Sequence, residues 1–108
     1  MTIPISGAEP AASPALRVQA LIDITDALSR IFHKENAALE ARRPQDAASL
    51  QAEKARLAAA YAQSIRAVAA ERAEISTVES GLLTRLRDIT STFENRAARQ
   101  RALLDSAS

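Results

Sequence analysis

The side chains able to do chemistry in this chain are sparse. His33 is the only histidine, and there is no cysteine. Zinc needs three or four convergent ligands. A lone histidine set between Phe32 and Lys34, with Glu35 nearby, does not supply them. Disulfides, thiolate metal sites and cysteine nucleophiles are excluded by composition. Two carboxylate pairs, Asp23 with Asp26 and Glu71 with Glu74, fall on shared helical faces. Such pairs do acid–base work only in a cleft that perturbs their pKa values, so here they read as solvated helix surface. The two glycines, Gly7 and Gly81, are too few for a phosphate-cradling loop. No nucleophile motif surrounds any serine. The residues therefore imply no enzyme, no metal and no cofactor.

Charge narrows the field further. Fourteen Lys and Arg against 13 Asp and Glu give a net charge of +1, with the signs mixed along the chain. Arg85, Arg87, Arg96, Arg99 and Arg101 could form a basic face for nucleic acid. Asp88 and Glu94 interrupt it, and no aromatic residue is interleaved on that face for base stacking. No apolar run approaches the ~20 residues of a membrane span, and the first residues lack the basic and apolar regions of a secretory signal. The expectation is a cytoplasmic protein with no nucleic-acid role and no membrane insertion.

What remains is apolar recognition. Leu82, Leu86, Ile89 and Phe93 are spaced four, three and four apart, which puts them on one helical face. Ala97 extends that face, and Leu103 and Leu104 end it. Such a stripe either packs within the protein or docks a partner helix. The four residues are the candidate partner-binding site.

The elements that must carry this stripe are helical. Residues 1–12, rich in Pro, Gly, Ser and Ala, read as a flexible tail. Ser13-Pro14 is a helix start, with serine as cap and proline preset for the first turn. Leu21, Ile24, Leu28, Ile31 and Phe32 then recur at helical spacing, and the stripe weakens through Glu35 to Leu39. A first helix is expected over about 14–41. Arg42-Arg43-Pro44 breaks it, and a short connection makes the flanking helices antiparallel neighbours. An alanine-dominated second helix is expected over about 45–75. Its heptad columns are Leu50, Leu57, Ser64, Glu71 and Val78, and Tyr61, Val68 and Ile75. Ser76-Thr77-Val78-Glu79 has the form of a capping box and Gly81 follows, so a break is expected near 76–81 and a third helix over about 78–104. The fold class is all-α: an antiparallel long-helix hairpin or three-helix coiled-coil-like bundle, one domain over 13–108. Its core is thin, with Phe32, Tyr61 and Phe93 as its aromatic residues.

The segment from Leu28 to Tyr61 resembles the FlgN-like flagellar export chaperones. In that family a Glu in the first helix is followed by Leu four residues on. After a polar turn, a Leu and then a Lys four residues later open the second helix. Glu35 and Leu39, then Leu50, Lys54 and Leu57, stand at those positions. The resemblance implies a cytoplasmic chaperone of type III secretion that uses neither ATP nor metal. It would bind the C-terminal helices of hook–filament junction proteins and deliver them to the export apparatus. It also implies that the C-terminal region, which here holds Leu82 to Phe93, contacts the client. Two other readings fit the helices alone: a structural coiled-coil subunit forming a homo-oligomer, and a nucleic-acid-associated helical protein. The second predicts strongly salt-dependent binding.

Overall fold

The computed structural model describes residues 13–107. The tail expected over 1–12 lies outside them. The described chain is all-α. Its helices are α1 (Pro14–Glu40), α2 (Pro44–Ala48), α3 (Gln51–Ala70), α4 (Arg72–Ile75) and α5 (Ser80–Ala107). Helix α1 is the central element, with α3 and α5 both packed on it. Val18 and Ile22 of α1 meet Ile75, Leu82 and Leu86 at one pole. Glu35 meets Lys54 and Gln100 towards the other. Helix α5 therefore runs parallel to α1, and α3 runs antiparallel to both. The body is long and flat, 58 × 29 × 18 Å.

Helix α1 begins as its sequence dictates. The Ser13 side chain accepts the Leu16 N–H at 3.3 Å, with Pro14 in the first turn. It ends in a Schellman motif. The Arg42 N–H donates to the Leu39 carbonyl at 3.1 Å and the Arg43 N–H to the Ala38 carbonyl at 2.8 Å. Arg42 itself takes the left-handed conformation, φ 59°, which disfavours any residue with a Cβ. Arg42→Gly is therefore expected to raise stability by about 1 kcal/mol, read as a higher urea midpoint with an unchanged slope.

The single helix expected over 45–75 is instead three segments. At Ser49-Leu50 the turn tightens, and the Ser49 hydroxyl donates to the Asp46 carbonyl at 2.8 Å. That local bond competes with regular helix. At Glu71 the backbone leaves helical geometry (φ −122°, ψ 40°). The Glu71 carboxylate pairs with Arg17 of α1, and the chain then turns Ile75 inward onto Val18 and Ile22. The expected capping box does not form. The Ser76 and Thr77 hydroxyls each donate at 2.6 Å to α4 carbonyls, those of Ala73 and Glu74. They close α4 rather than open α5, so α5 starts at Ser80, two residues later than expected. It also persists to Ala107 rather than ending near 104.

The core is thin and lies in two clusters along α1. Val18, Ile22 and Ile75 form the first, flanked by Val68, Val78, Leu82, Leu83, Leu86 and Ile89. Leu28, Ile31 and Leu57 form the second, flanked by Ile24, Phe32, Leu50, Tyr61 and Phe93. Thr25 is fully buried, and its hydroxyl has no hydrogen-bond partner among the described residues. An unsatisfied buried hydroxyl costs about 1–3 kcal/mol. Thr25→Val keeps the shape and removes that group, so it should raise the melting temperature; calorimetry measures this directly.

Candidate functional site

The most distinctive chemical feature is a polar layer buried where α1, α3 and α5 converge. Glu35 is 2% exposed, which for a carboxylate demands full pairing. One of its oxygens, Oε1, accepts from Lys54 Nζ at 3.0 Å and from Gln100 Nε2 at 2.9 Å. The other, Oε2, accepts from Gln51. Lys54 Nζ donates in turn to Gln100 Oε1 at 3.0 Å and stands 4.3 Å from the centroid of the Phe32 ring. Asn36, also buried, accepts from Gln100 and donates to the Arg96 carbonyl at 3.0 Å. The Arg96 guanidinium reaches Ser29 Oγ at 2.9 Å. The layer crosses all three long helices with its buried groups paired. Its effect is to fix which turn of α3 and of α5 faces which turn of α1, as polar groups in an apolar seam do.

Beside it sits an aromatic contact. Phe93 of α5 meets Phe32 edge-on, with centroids 5.3 Å apart, and Tyr61 at a tilt, 5.5 Å apart. Burial, and then the Glu94 carboxylate, raise the Tyr61 pKa above its ordinary 10.0. The folded state therefore holds this proton more tightly than the unfolded state. The stability it contributes is complete below pH 10 and is lost as pH rises through the raised value. Alkaline unfolding should thus be steeper for the wild type than for Tyr61→Phe, as a pH series of thermal melts would show.

The five positions of the chaperone-like pattern are distributed as follows. Glu35 and Lys54 form the central ion pair of the polar layer. Leu57 is buried against Leu28 and Ile31, with Leu50 at the edge of the same cluster. Leu39 is set apart from them, at the end of α1 in an open furrow with Arg42, Pro44 and Leu103. The stripe residues Leu82, Leu86 and Ile89 are half-buried against the first core cluster, and Phe93 against the second. All four thus rest on α1. The sequence reading missed Ser29, Asn36, Gln51, Arg96 and Gln100, and also the pairing of Arg17 with Glu71.

Other chemistry is limited. Among the described residues no three or more His, Asp or Glu side chains gather to hold a metal ion. His33 lines a shallow groove with Asn95 and Arg99. Among the described residues no helix is long and apolar enough to cross a membrane. Comparison with known proteins gives no matching family model, no matching curated protein and no matching solved structure.

Proposed function

We propose that this protein is a cytoplasmic export chaperone of the FlgN-like kind, which holds the C-terminal helices of flagellar hook–filament junction proteins and presents them to the type III export apparatus. The observation that carries the reading is the α1–α3 hairpin. Glu35, Leu50, Lys54 and Leu57, at the family-pattern positions, fall on one seam, and the carboxylate and ammonium pair within it. A second support is α5. Its stripe from Leu82 to Phe93 is half-buried, joined to the hairpin through the short α4 and a turn, and so has apolar edge left for a client helix.

Binding a client helix along α5 would remove its apolar surface from water at about 25 cal/mol per Å², less the cost of ordering the complex. The α3 surface facing solvent is largely alanine, with Ala52, Ala55, Ala59 and Ala62 exposed. It presents low relief to an approaching helix.

The test is calorimetric titration with purified hook–filament junction proteins. Wild-type chain should bind the C-terminal helices of at least one of them, and Leu86→Asp should abolish that binding while circular dichroism shows helix content retained. A folded Leu86→Asp variant that binds as wild type would remove α5 from the client site. Absence of any binding by wild type would sink the chaperone reading itself.

A further inference from the structure

At the pole where α1 and α5 both end, a furrow of about 680 Å³ is lined by Leu39, Arg42, Pro44, Arg99 and Leu103. It continues past Glu40 and Arg99 into a smaller groove of about 230 Å³ beside His33, Asn95 and Arg96. Leu39 and Leu103, both half-buried, lie apart from the two core clusters and form the apolar floor of the furrow. Leu104, next to them in sequence, is 51% exposed.

The rim is cationic. Arg96 is held in place by Ser29. Arg99 directs Nε and one terminal nitrogen at a single Glu40 oxygen, at 3.0 and 2.7 Å. That pair is half-exposed, a setting in which ion pairs contribute about 0–1 kcal/mol and exchange partners easily. Arg42 is exposed and makes no ion pair among the described residues. Three guanidinium groups thus face one carboxylate. Stability does not explain Arg42. Its charge beyond the α1 C-terminus gains about 0.3–1 kcal/mol from the helix dipole, less than the roughly 1–2 kcal/mol that its left-handed backbone costs.

We propose that this furrow docks an acidic amphipathic peptide segment, with apolar side chains on Leu39 and Leu103 and carboxylates on Arg42 and Arg99. A free anion would leave the leucines uncovered. A wholly apolar helix would desolvate the guanidinium groups without a partner. A nucleic-acid strand would find no Phe, Tyr or Trp ring in the lining for its bases. An acidic segment satisfies both floor and rim. The proposal goes beyond the chaperone reading and does not depend on it, since Leu82 and Leu86 lie towards the opposite pole.

The test uses two labelled helical peptides with leucine at alternating three- and four-residue steps. One carries Glu at its remaining charged positions and the other Lys. Fluorescence anisotropy should show the Glu peptide binding the full chain, with affinity falling as salt rises, and the Lys peptide failing to bind. Arg42→Gly should weaken the Glu peptide about tenfold or more although that variant is the more stable protein, so lost folding cannot account for the effect. Arg99→Gln should weaken it as well. Equal binding of the two peptides, no binding of the Glu peptide, or wild-type affinity in Arg42→Gly would each overturn the proposal. So would a dimer in sedimentation velocity that Arg42→Gly dissociates and the Glu peptide does not, because the furrow would then belong to a second copy of the chain.

Discussion

Glu35→Ala should lower the free energy of unfolding by about 3 kcal/mol. The carboxylate accepts hydrogen bonds from Lys54, Gln51 and Gln100 at once, and alanine removes the acceptor from all three, leaving the buried Gln100 amide beside a void. The lower end of the usual range for breaking a buried ion pair applies because the Lys54 side chain remains 23% exposed and can recruit water. The complementary experiment replaces the layer together: Glu35→Leu, Lys54→Met and Gln100→Leu. Removing both sides of a buried pair is often neutral or stabilising, so the triple variant should regain most of what the single variant loses. Urea unfolding followed by far-ultraviolet circular dichroism measures both. A single variant as stable as wild type would mean the layer is not desolvated as its burial indicates. A triple variant of wild-type stability with broadened amide resonances would show that the layer contributes uniqueness of packing rather than energy.

Phe93→Ala is expected to cost a similar amount, about 3 kcal/mol. Its ring touches Phe32 of α1 and Tyr61 of α3, so one truncation loosens the contact that joins all three long helices. Phe93 is half-buried rather than buried, which holds the expected loss near the bottom of the range for aromatic deletions. The variant carries a second signature. Opening the site hydrates Tyr61, so its raised pKa should fall back towards 10.0, visible in a spectrophotometric titration. Phe93→Leu, which keeps most of the apolar volume, should lose less than half as much stability. If Phe93→Ala unfolds at the wild-type urea concentration, the aromatic contact does not couple the helices.

These two sites differ in how they could be read from the chain. Phe93 is plain in the sequence, because Leu82, Leu86, Ile89 and Phe93 keep an unbroken helical rhythm. The start of α1 at Ser13-Pro14 is equally plain, since capping is a local matter of one hydroxyl and one ring. The polar layer is harder. Glu35 and Gln100 occupy the very phase of their helices where the apolar stripes would continue, following Leu28 and Ile31 in α1 and Phe93 and Ala97 in α5. A polar residue in phase with a buried stripe is the signal that was there to be found. What it pairs with is fixed only when three helices meet, across 46 residues of chain for Lys54 and Gln100. The interruption at Glu71 was illegible for the same reason. Nothing in the local sequence opposes helix there, and the Arg17 that captures its carboxylate lies at the far end of α1's own segment. The misread capping box has a different cause. Ser76 and Thr77 have the hydroxyl chemistry of a helix start, but the same hydroxyls can bond backward to the preceding turn, and here they do.

The parallel course of α1 and α5 has a mechanical consequence. The described chain enters at one pole of the 58 Å body and leaves at the other. Tension applied between Ser13 and Ser106 therefore pulls α1 and α5 past each other lengthwise instead of peeling them apart from one end. Under such shear Leu82, Ile89, Phe93 and the Glu35–Gln100 bond are loaded together, and rupture requires the whole seam to slip at once. A pull applied instead across one pole, between Ser13 and Ser80, would unzip the same seam contact by contact at a much lower force.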